Sequence, residues 1–272
     1  MYSNMGLIGK PLTHTLSPFI HNYFLYKNSI NGGYCCFDIY EDELGKIVEF
    51  FKKTNFKGFN VTLPYKETII KFLDQIDDDA RYMNSVNTVK IDDGKLIGYN
   101  TDIYGILETF NLYEISPIDK KILIIGAGGA CRGLFYVLKK LGYGFIDIVN
   151  RNLSKAEKLV KEFNIENFRL FEVNKLNSFD NSLKYDIIIN TTSVGLTGDN
   201  IYNFEKLSAD IAFDMQYSLS GETLFLGKVI SDKKVDGLPM LICQAYQAFK
   251  IWSGLDFEND YQDIISRLRS RR

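Results

Sequence analysis

The stretch KILIIGAGGACRG, residues 121–133, sets the fold class of this chain. Four apolar residues in a row, Ile122 to Ile125, suit a short strand buried on both faces, and the run stops at a glycine cluster. Gly126, Gly128 and Gly129 let the backbone turn sharply and approach a ligand with no Cβ in the way. The helix expected from Ala130 to Leu141, ended by Gly142, directs its first free N–H groups at that ligand, which favours an anion. The pattern is G-x-G-x-x-C, with Cys131 at the third small position. A turn of this kind serves NAD(P), flavin and S-adenosylmethionine proteins alike, and the next strand narrows the choice. At the end of Phe145 to Val149, where an NAD site carries an acidic residue for the ribose hydroxyls, stand Asn150 and Arg151. A guanidinium suits a 2′-phosphate, so NADP is favoured; a solvated loop cation is the plainer alternative.

At 272 residues the chain is long enough for two modest domains. A net charge of −2 and a pI near 5.8 give no electrostatic case for nucleic acid or an anionic membrane. The basic tail, Arg267, Arg269, Arg271 and Arg272, reads as a solvated helix end. With no apolar run long enough to span a bilayer and no signal-like N-terminus, the expected location is the cytoplasm. The four cysteines, Cys35, Cys36, Cys131 and Cys243, lack C-x-x-C spacing and suit reduced packing residues. His14 and His21 are the only histidines, and no metal site is expected around them.

Short apolar runs alternate with amphipathic stretches along the whole chain, an α/β pattern. Strands are expected at Met5 to Ile8, Tyr34 to Ile39, Phe59 to Thr62, Val86 to Ile91 and Leu96 to Tyr99, the last two flanking the turn Asp92-Asp93-Gly94. Helices are expected at Pro18 to Tyr26 with Ser17 as N-cap, Glu41 to Lys53, Tyr65 to Leu73 and Tyr104 to Phe110. After the glycine turn, Ser154 and Glu157 form a capping box for the next helix. Tyr185 to Ile189 and Ile211 to Phe213 are strands ending at Asn190-Thr191-Thr192-Ser193 and at Asp214, and Val235 belongs to a last one. Helices at Met240 to Trp252 and Asp260 to Leu268 close the chain. The expected division is a substrate domain, 1–103, a Rossmann-type dinucleotide domain, 104–238, and C-terminal helices, 239–272, packing back on the N-terminal domain, with a cleft between the domains.

Four motifs rich in short hydroxyl and amide side chains fall at strand ends or loops: HTLSP at 14–18, NVTLPYK at 60–66, VNT at 86–88 and NTDIYG at 100–105. Such groups orient a polyhydroxylated small molecule through directional hydrogen bonds. Each by itself also reads as local capping, with Ser17 an N-cap, Asn87 in a turn and Asn100 in an Asx turn.

Together with the nucleotide turn, these motifs resemble the shikimate dehydrogenases. The likeness runs through HTLSPFIHN, GFNVTLPYK, SVNT, GYNTDIYG, GAGGACRG, NRNLSKA at 150–156, NTTSVGL at 190–196 and DGLPMLICQAYQAF at 236–249. It implies NADP-dependent reduction of 3-dehydroshikimate to shikimate in aromatic amino-acid biosynthesis, by a monomer or homodimer. It further implies that Thr15 and Ser17 hold the substrate carboxylate, that ring hydroxyls meet Asn60, Thr62, Lys66, Asn87, Asp102 and Gln244, and that Tyr217 is a substrate neighbour. Lys66 and Asp102 are the implied catalytic pair, Lys66 exchanging the alcohol proton while Asp102 orients it. The cofactor would lie on Gly126, Ala127, Gly128, Gly129, Ala130, Asn150, Arg151, Asn152, Lys155, Thr191, Ser193, Gly237 and Met240. Three departures from the family pattern stand out. Thr15 replaces the usual serine, Asn152 replaces the threonine of N-R-T, and Asp214, Tyr217 and Thr223 lack the proline and the spacing of D-x-x-Y-x-P. A quinate/shikimate dehydrogenase of the same fold is the enzymatic alternative, and a silent ligand-binding regulator on this scaffold the non-enzymatic one.

Overall fold

The computed structural model describes residues 2–178, 184–194, 203–257 and 260–270. It divides into two compact units, Met1–Gly105 with Ile242–Ile264, and Ile106–Leu241 with Ile265–Arg272. The final residues therefore go with the second unit, whereas the sequence reading placed all of 239–272 on the first.

The first unit runs through β1 (Ser3–Gly9), α1 (Ser17–Lys27), β2 (Gly32–Asp38), α2 (Leu44–Lys53), β3 (Phe56–Val61), β4 (Gln75–Ile76), α3 (Asp78–Met83), β5 (Thr88–Asp92), β6 (Lys95–Tyr99) and the first turn of α4 (Asp102–Leu112). Its sheet has the order β2-β1-β3-β5-β6-β4. Strand β1 pairs in parallel with β2 and β3, and the β5–β6 hairpin adds antiparallel strands beside β3. Helix α2 sets Leu44, Val48 and Phe51 on one face, the i, i+4, i+7 positions that an amphipathic helix buries. That face lands on Phe59, Val61 and Ile69, with the Phe51 and Phe59 rings stacked at 4.7 Å. Burial of each such ring stabilises the unit by about 1.5–3 kcal/mol.

The second unit continues with β7 (Lys121–Ile125), α5 (Gly129–Leu141), β8 (Phe145–Asn150), α6 (Leu153–Glu162), β9 (Phe168–Glu172), β10 (Lys184–Asn190), β11 (Ser208–Asp214), α7 (Leu224–Lys228) and β12 (Ile230–Val235). Two closing helices, α8 (Leu238–Ser253) and α9 (Tyr261–Arg269), have residues in both units. The strand order is β12-β11-β10-β7-β8-β9, with parallel pairing throughout. This is the doubly wound arrangement in which the order reverses between β7 and β10, and ligands bind beyond the strand C-termini at that switch point. Residues Ile122 to Ile125 are fully buried, as a strand covered on both faces requires.

Several local expectations need correction. Ser17 is the first residue of α1, whose N-cap position is Leu16 without a side-chain cap. Helix α6 is capped by Asn152, whose Oδ1 accepts from the Lys155 N–H at 3.1 Å, so the Ser154–Glu157 box does not form. The helix expected over 65–73 is only a 3₁₀ turn at Thr68–Phe72, where three β-branched residues in a row lower helix propensity. Helix 41–53 likewise begins with a 3₁₀ turn at Glu41–Glu43. Strands β4 and β9 and helix α3 were not foreseen. The N-cap Asp77, which accepts from Asp79 and Ala80, and left-handed Asn84 at φ 48° were the available signals for α3. Cys35 and Cys36 are exposed, so only Cys131 and Cys243 pack inside. Arg269 is not a merely solvated cation, since it pairs with buried Asp236 at 2.9 Å; Arg271 and Arg272, like Gly195 and Leu196 of the NTTSVGL motif, lie outside the described residues. Among the described residues no helix is long and apolar enough to cross a membrane.

Candidate active site

Two clusters carry the polar motifs, one in each unit. In the first, Lys66 follows β3 in a turn fixed on both sides of it. The buried Tyr65 phenol donates to the Ile39 carbonyl at 2.7 Å, and the Val86 N–H donates to the Lys66 carbonyl at 2.9 Å. The Lys66 ammonium then meets Asp102 Oδ2 at 2.6 Å, with the two side chains 25% and 27% exposed. Asp102 begins α4, where the helix dipole favours a carboxylate, and its N–H donates to Asn100 Oδ1 at 3.2 Å. The Asx turn is thus present at Asn100, and it serves to set Asp102.

Asn87 is no ordinary turn residue. Its Oδ1 accepts from the Thr101 N–H at 2.8 Å, which fixes the amide orientation because a backbone N–H can only donate. Its Nδ2 therefore faces Asp102 Oδ1 at 2.8 Å and Gln244 Oε1 at 3.4 Å. Gln244 comes from α8 and is 8% exposed. Asn60, at 6% exposure, donates through Nδ2 to the Asn87 carbonyl at 3.1 Å and to Thr88 Oγ1 at 3.0 Å. Thr15 Oγ1 donates to Ser17 Oγ at 3.2 Å, bringing the two hydroxyls of the first motif together. Thr62, partly buried, donates its N–H to the Ile8 carbonyl at 2.9 Å and so ends β3 against β1. Thr88 and Thr101, which the sequence reading left out of the site, are part of this buried lattice; both lie inside the V-N-T and N-T-D motifs.

The second cluster lies at the C-terminal edge of the other sheet. Gly126 has φ 104° and donates its N–H to the Val149 carbonyl at 2.8 Å. A Cβ there would sit 2.7 Å from Thr191 Oγ1, so this position requires glycine for space as well as for conformation. At Gly128 and Gly129 an added Cβ would meet nothing within 4 Å: the turn opens outward, with Ala130 exposed beside it. Buried Ala127 and Cys131 face inward, and burial pushes the Cys131 thiol up to about 12, leaving it a protonated packing group. Thr191 locks β10 to β7, both its N–H and its hydroxyl donating to the Ile125 carbonyl, at 2.8 and 2.9 Å. Ser193 is exposed beyond it.

At the end of β8, Asn150 Nδ2 donates to the Asn152 carbonyl at 2.8 Å, while Arg151 and Lys155 are exposed and make no ion pair among the described residues. Two free cations beside a helix N-terminus and an open glycine turn fit a dinucleotide carrying an extra phosphate. The Asn152 side chain is already committed to its cap. Gly237 could not bear a Cβ, which would lie 2.3 Å from the Met215 carbonyl oxygen, and its N–H donates to the Gln216 carbonyl at 2.7 Å; Met240 follows in the first turn of α8. Gln216 Nε2 in turn donates to the carbonyls of Thr192 and Val194, at 2.6 and 2.9 Å, holding the loop after β10. Tyr217 is half-buried on the loop after β11, and burial raises its phenol. Asp214 is fully buried and accepts from Asn190 Nδ2 at 2.9 Å, the Gln216 N–H at 3.0 Å and Thr223 Oγ1 at 2.5 Å.

Residues 7–89 match the model of the shikimate dehydrogenase substrate-binding domain, and residues 112–208 match that of shikimate / quinate 5-dehydrogenase. A shikimate dehydrogenase (NADP(+)) of Oceanobacillus iheyensis is 39% identical over 273 residues, covering 97% of each chain. The chain belongs to the shikimate dehydrogenase family. The crystal structure of the shikimate dehydrogenase of Aquifex aeolicus superposes with a TM-score of 0.84 at 35% identity, over 98% of both chains. The enzyme of Thermus thermophilus, solved with NADP(H) and shikimate, gives 0.81 at 29% identity over 98% of this chain and 99% of its own. Most residues of the two clusters fall in the regions matched by the substrate-binding and dehydrogenase models; Asn100 to Asp102 lie between the two matches, and Asp214, Tyr217, Gly237, Met240 and Gln244 lie beyond the second. The sequence signals that single them out are the four hydroxyl and amide motifs and the glycine turn.

Proposed function

We propose that this chain is an NADP-dependent dehydrogenase interconverting 3-dehydroshikimate and shikimate. The observation that carries the reading is the partly exposed Lys66–Asp102 pair at 2.6 Å, set among buried amides in a chain of this family. The substrate is held by the first cluster, its carboxylate on the Thr15 and Ser17 hydroxyls and its ring hydroxyls among Asn60, Thr62, Asn87 and Gln244. Bound NADPH supplies the hydride to the ketone carbon. As charge develops on the ketone oxygen, the Lys66 ammonium gives it a proton; in the reverse direction Lys66 takes that proton as the alcohol is oxidised. Asp102 touches Lys66 through Oδ2 and Asn87 through Oδ1, so it keeps the ammonium aimed while its own position is set by the amide. Arg151 and Lys155 bind the 2′-phosphate, and the N–H groups opening α5 bind the diphosphate.

Steady-state rates with shikimate and quinate, each against NADP and NAD, test the reading. Shikimate with NADP should give the highest kcat/KM; quinate as the better substrate, or no reduction of either cofactor, would overturn it. Lys66→Ala should lower kcat by roughly 10² or more with a smaller change in KM.

A further inference from the structure

We propose that Tyr34, a residue in neither cluster's binding set, positions the substrate half-site by fixing Asn60 through its hydroxyl. The inference rests on the reading of the first cluster as the place where the hydroxy acid binds. Tyr34 lies on β2, 3% exposed, and its hydroxyl is 2.8 Å from Asn60 Oδ1. The direction of that bond follows from the far side of the amide. Asn60 Nδ2 faces the Asn87 carbonyl, which can only accept, so Oδ1 must face Tyr34 and the phenol must donate. That bond takes the phenol's one proton.

The ring itself is clamped. His21 stacks on Tyr34 with ring centroids 4.2 Å apart and planes 8° from parallel, and neither nitrogen of that fully buried imidazole has a hydrogen-bond partner among the described residues. Burial holds His21 down to about 3, so it packs as a neutral ring. Tyr34 thus anchors Asn60, and Asn60 continues through Thr88 Oγ1 to Asn87 Oδ1 at 3.0 Å. The Lys66–Asp102 end is secured separately, by the Thr101 N–H on Asn87. Loss of the phenol oxygen therefore loosens Asn60 and leaves the proton-exchanging pair in place. Binding should suffer, and turnover should not.

Tyr34→Phe keeps the ring, its volume and its stack on His21, and removes one oxygen. Its KM for shikimate should rise about tenfold, from the lost anchoring of Asn60. Its kcat should stay within about threefold and its KM for NADP within about twofold. A purely structural role would instead lower the melting temperature and kcat and leave KM for shikimate alone. In a double-mutant cycle with Asn60→Ala, the combined rise in KM should fall short of the product of the two single effects. Wild-type turnover of shikimate together with an unchanged KM in Tyr34→Phe, or with fully independent effects in the cycle, refutes the positioning role alone. Absence of wild-type turnover refutes the functional reading and the inference with it.

Discussion

Asp214 gives the sharpest test of the energetics at the dinucleotide edge. The carboxyl is fully buried, and desolvation raises it from 3.8 to about 6, further helped by the Asp236 carboxylate; hydrogen bonds from Thr223, the Gln216 N–H and Asn190 oppose the shift without reversing it. A group whose pKa is higher folded than unfolded stabilises the fold fully below the unfolded value, and loses that contribution as pH rises through the folded value. The window here is therefore about pH 4 to 6, and the loss amounts to about 3 kcal/mol once Asp214 is ionised. Asn at this position mimics the protonated acid, with Thr223 able to turn its hydroxyl and accept. Urea unfolding of wild type and Asp214→Asn at several pH values from 4 to 8 isolates the effect, because subtraction cancels Asp38, Asp74 and Asp186, whose depressed carboxyls lose stability as pH falls. Far-UV circular dichroism is the probe of choice, since the single tryptophan, Trp252, lies in the other unit. Wild type should weaken relative to the variant by about 2.5 kcal/mol between pH 4 and 8. A difference that stays flat, or that runs the other way, would mean that the three hydrogen bonds outweigh desolvation and would refute the reasoning.

Other outcomes follow from the same geometry. Arg151→Ala should raise KM for NADP by about tenfold or more while leaving KM for NAD unchanged, as loss of charge-assisted phosphate bonds requires; an unaltered NADP-to-NAD preference would remove Arg151 from the site. Gly126→Ala forces a Cβ to 2.7 Å from Thr191 Oγ1 at φ 104°, so thermal unfolding should show a loss of about 1–3 kcal/mol with a weaker affinity for NADP by fluorescence titration. Wild-type stability in that variant would show that the loop relaxes. Asn87→Ala removes the donor that sets Asp102, and kcat should fall by about tenfold or more while thermal stability drops by about 1–3 kcal/mol for the unmet Thr101 N–H.

The second unit was the more legible in sequence. A run such as Ile122 to Ile125 followed by Gly-x-Gly has few physical solutions, and the strand-end residues Asn190 and Asp214 fall where the alternation of strands and helices puts them. Strand β9 escaped because it is an edge strand, FRLFE, whose residues are all exposed or half-buried and which carries no uninterrupted apolar run. In the first unit, motif residues such as Asn60 and Asn87 announced themselves by type, and their partners did not. Asn87 read equally well as a turn residue because its hydrogen-bond partners are brought to it by β3, β5, α4 and α8, segments up to 157 residues apart. Tyr34 gave no signal at all, since a tyrosine among apolar strand residues is ordinary β-sheet composition. Capping was misplaced at Ser154 because Asn152, two residues earlier, offers the same chemistry, and only the backbone decides between them.

The hydrogen-bond directions in the first cluster also limit what it can recognise. Both hydrogens of the Asn60 amide are spent, on the Asn87 carbonyl and on Thr88 Oγ1, and one lone pair of Oδ1 is taken by Tyr34. Asn60 can therefore meet a ligand hydroxyl only as an acceptor. Asn87 is fixed the other way round, its oxygen held by the Thr101 N–H and its NH₂ turned toward Asp102 and Gln244. An amide free to flip would serve a donor or an acceptor equally and discriminate poorly. Amides whose orientation is dictated by a backbone carbonyl on one side and a backbone N–H on the other cannot adapt, and a ligand lacking the matching hydroxyl leaves a buried polar atom unpaired, the arrangement that yields the largest selectivity per contact. Selectivity in the proposed site thus originates in two strand-end backbone groups, and the side chains that touch substrate transmit it.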